Sequence, residues 1–457
     1  MCQETIFSQA EEREVFHMKG KRVTRKERRE KLEEAQLGWE LVRLIRHFFP
    51  DLMKQLKGVT DQRHPSYKRY ENHVLLMTRI LASVFYISSK RKASEEFNKT
   101  EVIANIGYIC ARELEELPYW ETINLYLEKV PDKDLQEIIC KLVKGLLRSR
   151  AFERARIRGQ YWQVIVDGTQ LASSRKELDG GYLYRVHQRG TAEEYVEYYY
   201  YVLEARLYLH ENIYVSIMTE FVENKDSEAE KQDCERKAAK RLMERLKKQF
   251  PMLRILFCAD SLYACESIFT LCRKYRWSFL IRYKKGSIPS VYQEYESLRK
   301  QEKNYQEFQN NGSRCWYDHV NGIDYNGCPI NLLEYGESGE KHFCFLTNLP
   351  ITLKNRIQLL RDGRRRWAIE NQGFNTQKNH GFYLEHLFSR NGQAMKNHYL
   401  LIQIGHMISQ LLDAWSILWE DISMSHEQKH RCLLESWKHS RLLDFPGLDA
   451  PFQIRFL

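Results

Sequence analysis

The sequence contains no CxxC pair, and its eleven cysteines are odd in number and scattered. That argues against a zinc ribbon and a disulfide-built scaffold and fits a reducing compartment, so a cytoplasmic location is expected. No stretch reaches the roughly 18–20 uncharged apolar residues of a membrane span. The run His73–Ile87 carries Arg79, and Tyr399–Leu418 is interrupted by Gln403, His406, Ser409, Gln410 and Asp413. No membrane association is expected. The first residues hold Glu4, Glu11 and Glu12 but no apolar core, so no signal peptide is expected there. Ten prolines and 22 glycines, with no low-complexity tract or internal repeat, argue against long linkers and solenoids.

What is present is a chain of 457 residues, 43% hydrophobic and 29% charged, enough to build a packed core. At about 150 residues per domain the length implies about three structural units. Lys and Arg number 71 against 61 Asp and Glu, a net +10 that favours an anionic partner. Eight of these cations lie within Lys19–Lys31, opposed only by Glu27 and Glu30. Such a run is either a solvated arm or a phosphate-contacting one.

The first 150 residues read as helical. Leu37, Leu41, Leu44, Ile45 and Phe48 recur at helical spacing, Val74–Ile87 is apolar enough for a central helix, and Glu113–Leu147 reads as two helices broken near Pro131. The pattern changes at Trp162–Val166, a short β-branched run that ends in Asp167 and reads as a buried strand with an acid at its tip. Two further strands, Glu197–Leu209 and Tyr214–Val222, are joined by a turn at His210–Ile213. Ser227–Phe250 steps by four and is expected to be a helix, capped by Asp226 or Ser227 and ended by Pro251. Ile255–Cys258 is a strand covered on both faces and leads to Asp260; Ala264–Tyr275 is helical, and Trp277–Tyr283 is another strand. The order β-β-β-α-β-α-β predicts an α/β fold, a meander with parallel strands added beside its first strand. Lys284–Leu349 is polar, rich in Asn-Gly turns and strand-like in pieces, whereas Ile357–Lys378 returns to helix.

Asp167 and Asp260 thus end two buried strands, where ligands gather in open α/β sheets. A single Asp at such a place is most often a turn residue or a helix cap. Two in one sheet, with Glu370 on a helix beside Arg364-Arg365-Arg366, form a carboxylate set without Cys or His. Oxygen-only ligands suit Mg²⁺ or Mn²⁺. Two ions roughly 3.5–4 Å apart would activate the attacking water and stabilise the leaving 3′ oxygen of a phosphodiester.

The segments Val164-Ile165-Val166-Asp167-Gly168-Thr169, Phe257-Cys258-Ala259-Asp260-Ser261 and Arg366-Trp367-Ala368-Ile369-Glu370-Asn371 resemble the three acidic motifs of DDE-type insertion-sequence transposases, the IS-four-like group above all. The resemblance covers about residues 160–415. It implies an RNase H-like mixed sheet flanked by helices, with a β-rich insertion and a helical N-terminal region. It also implies Asp167, Asp260 and Glu370 as catalytic and metal-binding residues, with two Mg²⁺ or Mn²⁺ ions. The family's third motif runs Tyr, two residues, Arg, three residues, Glu, six residues, Lys. Arg366 and Glu370 match it; Gly363 stands at the Tyr position and Gln377 at the Lys position, with Lys378 one residue late.

The organisation expected is a helical, DNA-binding region over 1–150, a first part of the core over 151–283, the β-rich insertion over 284–349, helical completion over 350–420 and a tail over 421–457. Arg366, Lys378 and Arg282 are candidates for holding DNA phosphates. Trp316 is a candidate for stacking on a flipped base, although a Trp there also serves to pack a small β-domain. On a continuous helix Gln377 would lie about 20° from Glu370 and Lys378 about 80° away, so Lys378 is expected to matter more than Gln377. His426 and His430, at i and i+4, are expected to face solvent.

The function expected is a DNA transposase that binds terminal inverted repeats, cleaves each end and transfers the strands, with double-stranded DNA as partner and a homodimer assembled on it. The alternatives are a non-catalytic DNA-binding protein derived from a transposase, and an RNase H-like nuclease. Activity with Mn²⁺ and cleavage of hybrids lacking terminal repeats would separate these.

Overall fold

A computed structural model describes residues 37–87, 89–224, 233–310, 312–338, 342–415 and 424–444. The basic run Lys19–Lys31 and the caps Asp226 and Ser227 lie outside the described residues. The chain divides into two compact units, neither continuous in sequence.

One unit gathers Arg156–Asp167 and Met243–Glu370. The start of β1 (Trp162–Ser174) pairs in parallel with β5 (Ile255–Ala259), and β5 pairs in parallel with β6 (Ser278–Arg282). Val164, Ile165, Val166 and every residue of β5 are buried, as continuous apolar runs require when both faces are covered. Helix α9 (Glu266–Tyr275) supplies the crossover between β5 and β6. β10 (His342–Thr347) then pairs antiparallel with β6, and β9 (Cys328–Glu337), β8 (Ser313–Tyr325) and β7 (Gln306–Asn310) follow as an antiparallel meander. The turn-rich segment is therefore an extension of the sheet. It also contains α10 (Pro289–Glu302), which its polar composition conceals, with Pro289 at the first helical position. Helix α11 (Arg356–Arg364) completes the unit.

The second unit gathers residues 23–155, 168–242 and 371–457. Its helices before the sheet are α1 (Leu37–Phe48), α2 (Leu52–Lys57), α3 (Asn72–Val84), α4 (Lys90–Phe97), α5 (Thr100–Cys110), α6 (Trp120–Leu127) and α7 (Asp132–Arg148). Pro131 separates α6 from α7, as expected. The hairpin of β3 (Tyr195–His210) and β4 (Ile213–Val222) turns at Glu211 and Asn212, and the unforeseen β2 (Leu183–His187) pairs with β3. Helix α8 (Glu235–Gln249) follows the hairpin. Later come α12 (Thr376–Asn379), α13 (Gly392–Trp415) and α14 (His426–His439). Helix α13 is buried along most of its 24 residues and packs against α3, α7 and β4. Gly405 permits its close approach to α3, since a Cβ there would stand 2.7 Å from the Ser83 Cβ.

β1 pairs with β3 as well as with β5. The fold is the mixed α/β class expected, a mixed sheet flanked by helices, with a β-rich segment after β6 and helices before β1 among the described residues. Among the described residues no helix is long and apolar enough to cross a membrane.

Candidate active site

β1 does not end at Asp167, as the β-branched run implied; it continues to Ser174. What ends there is its parallel ladder with β5, whose last register pair is Val166 with Ala259. Asp167 and Asp260 are the next residues on each strand. Parallel neighbours lie about 4.8 Å apart and residues in register share a face, so the two acids leave the ladder side by side. Beyond that point β3 is the neighbour that keeps β1 extended.

Asp260 is also a cap. Its Oδ1 accepts from the Leu262 amide at 2.8 Å and opens a short 3₁₀ turn at Ser261–Tyr263. The capping role and a place at the strand end coexist, because a cap occupies one carboxylate oxygen.

Glu370 lies in a π-helical segment, Ile369–Asn375. Such wide turns recur at functional sites. Arg366, one turn earlier, is nearly buried, and its Nη1 donates to Asp167 Oδ2 at 3.0 Å and to Glu370 Oε1 at 3.2 Å. One guanidinium thus joins the first strand acid to the helical one. The other two arginines of the triplet are used elsewhere. Arg365 pairs with Asp362 at 2.6 Å, and the Arg364 guanidinium stands 5.0 Å from the centre of the Phe343 ring.

Gln163, which the sequence did not single out, and Gly363, noted there only as a departure from the family's Tyr, fix α11, which ends just before Arg366. Gln163 is fully buried in β1, and its Nε2 donates to the Asp362 carbonyl at 2.6 Å, tying the strand to α11. Gly363 faces the Phe345 ring of β10, where an added Cβ would stand 2.6 Å from it. The expected family Tyr has no room at that position. Neither residue carries a sequence signal beyond its small or amide character.

The remaining candidates sit in less open surroundings than expected. Arg282 is not a solvated strand end: its Nη2 donates to the His342 carbonyl at 2.7 Å, it lies over Phe343 and Phe345, and burial lowers its pKa. Neighbouring Lys285 donates to the Tyr292 hydroxyl at 2.6 Å. Trp316 is half-buried across Gly336, where any side chain would collide with the indole, and is flanked by Tyr305 and His342. In the second unit Lys378 pairs with Glu385 at 3.1 Å. Gln377 is fully buried, donating to Gln403 and to His406 at 2.9 Å each. The π segment opens the turn, so the angular step of a continuous α-helix does not hold and Gln377 does not share Glu370's exposure. His430 is buried against the Val84 carbonyl; only His426 of that pair is exposed, and it pairs with Asp413 at 2.8 Å.

Among the described residues no three His, Cys, Asp or Glu side chains stand together as a ready metal-binding group. The donor chemistry of Asp167, Asp260 and Glu370 nevertheless fits a hard divalent cation. Two of them already converge on one positive group, the Arg366 guanidinium.

Acids at the ends of two neighbouring parallel strands, with a third on a later helical segment, are the arrangement that the resemblance to DDE enzymes implies. Residues 215–408 match the family model described as the transposase DDE domain. The matched span contains Asp260 and Glu370 and begins after Asp167. No curated protein matches the chain. A solved structure, the piggyBac transposase synaptic complex with hairpin DNA, is similar at 12% identity over 89% of this chain and 82% of that one, with a TM-score of 0.43.

Proposed function

We propose that this DNA transposase binds double-stranded DNA at transposon terminal inverted repeats, hydrolyses the phosphodiester at each end and joins the freed 3′ hydroxyl to target DNA. The observation that carries this reading is the pairing of Val166 with Ala259, which brings Asp167 and Asp260 to neighbouring strand ends, with Glu370 linked to Asp167 through Arg366. Asp167, Asp260 and Glu370 would hold divalent cations, Mg²⁺ or Mn²⁺ and two in number. When bound, these would supply Lewis-acid charge at the phosphoryl group. The carboxylates orient the attacking water, and Arg366 and Arg282 offer guanidinium donors to the strand being cut. Trp316 would stack on a displaced base, and Lys378 would reach phosphate once its pairing with Glu385 opens. Residues 1–150 contribute DNA binding, two copies assemble on paired ends, and the protein works in the cytoplasm.

Asp167→Asn, Asp260→Asn and Glu370→Gln test the reading. Each amide keeps the shape and loses the charge. Each variant should lose DNA-end cleavage in Mg²⁺ while still shifting terminal-repeat DNA in a gel. Near wild-type cutting by any one of them removes that residue from the set.

A further inference from the structure

The proposed function leaves open what balances the site's negative charge before DNA arrives. Asp167 and Glu370 face one another across a single Nη1, 3.0 and 3.2 Å away. Arg366 is 9% exposed, so its guanidinium has exchanged most of its water for these two carboxylates. Its backbone is fixed as well: the Arg366 amide donates to the Gly363 carbonyl, and the Arg366 carbonyl accepts from Ile369. Asp260, the third acid, spends an oxygen on the Leu262 amide. Before any ion arrives, Arg366 thus offsets one of the two carboxylate charges it touches and engages one oxygen of each acid.

We propose that Arg366 is the resident counter-ion of this site. It stands where a divalent cation would draw Asp167 and Glu370 together, and it lowers the DNA-free protein's affinity for that cation. This rests on the reading of the three acids as cation ligands. Arg366 is here a positioning residue that acts through the two carboxylates. A cation entering between them must displace the guanidinium and be repelled by it while it remains near. A unit charge about 4 Å away in partly screened surroundings is strong enough to change affinity by tenfold or more.

The test is a Mn²⁺ titration of the DNA-free full-length protein, followed by the electron paramagnetic resonance signal of free Mn²⁺. Arg366→Gln removes the charge, and Arg366→Met is a second uncharged form that keeps the buried stem. Arg366→Lys keeps the charge. Thermal melts identify folded variants. The uncharged variants should bind Mn²⁺ at least about tenfold more tightly than wild type, and Arg366→Lys should stay within about threefold of it. A folded Arg366→Gln or Arg366→Met that binds no more tightly than wild type overturns the inference. Asp260→Asn separates the two levels of argument. If it binds Mn²⁺ as wild type does, the three acids are not the cation ligands and the proposed function loses its site. If it loses Mn²⁺ while the uncharged Arg366 variants are unchanged, only the counter-ion role fails.

Discussion

At the scale of single residues, the site is held by positions chosen for size and hydrogen bonding. Gly363 is the sharpest case. An added Cβ would stand 2.6 Å from the Phe345 ring, closer than van der Waals contact, on a helix whose neighbouring Asp362 is fully buried. Overpacking of this kind costs about 1–3 kcal/mol. Gly363→Ala should therefore lower the unfolding free energy measured in urea by that amount, and Phe345→Leu should restore part of it. A Gly363→Ala protein as stable as wild type would show that α11 can move off β10 without cost. Gln377 is a second case, for a different reason. It donates to Gln403 and to the His406 ring, and Gln403 donates back to its oxygen at 3.2 Å. Gln377→Ala leaves buried groups unpaired and should destabilise by about 1–3 kcal/mol in chemical denaturation. Lys378→Ala removes a more exposed pairing with Glu385 and should change stability by less than about 1 kcal/mol. Gln377 thus matters more for folding than helical phase had implied.

At the scale of elements, the strands that carry the two aspartates were legible because burial on both faces leaves an unmistakable run of Val, Ile, Leu, Phe and Cys. The later helices were legible from their four-residue steps. What was not legible follows from pairing and packing, which no local pattern records. β1 runs on past Asp167 because β3 lies beside it. β2 was missed because it is only five residues long and buries only Leu183. Helix α10 was missed because only Val291 and Tyr295 are buried along it, too few to mark a face. The π turn at Ile369–Asn375 changes which residues share Glu370's side, and nothing in the segment announces it. The three acids were candidates from the sequence; that Arg366 bridges two of them is seen only in the packed chain, where α11 lies against β6 and β9. That packing has a titratable tie. Burial pushes the Asp362 carboxyl up to about 6, against the pull of Arg365 and Gln358. A folded pKa above the ordinary aspartate value of 3.8 means the folded state binds the proton more tightly. The contribution is full below about 3.8 and is lost as pH rises through about 6, a difference of roughly 3 kcal/mol. Asp362→Asn should flatten this part of the stability profile between pH 4 and 7. An unchanged slope in urea titrations of the variant would mean that other groups set it.

At the scale of the whole molecule, the net charge of +10 would, on the proposed function, govern how the protein meets DNA. Several cations of the candidate site are already engaged: Arg366 by two carboxylates, Arg365 by Asp362 and Lys378 by Glu385. An engaged cation adds little to initial attraction, because its charge is balanced locally. The unbalanced charge is concentrated instead in Lys19–Lys31, where eight cations face two acids. Each phosphate neutralised by the protein releases counterions, so log K falls with log salt at a slope of about −0.9 per contact. Affinity for terminal-repeat DNA should therefore fall steeply between 50 and 200 mM salt, as it does for proteins making on the order of six to ten contacts. If the basic run supplies several of those contacts, a protein lacking residues 1–35 should bind more weakly at low salt and show a shallower slope. The affinities of the two proteins should converge as salt rises, because the lost term is the electrostatic one. Fluorescence anisotropy with a labelled duplex across that salt range measures both quantities. Parallel lines of equal slope would assign the arm to solvent and move the phosphate contacts into the folded units.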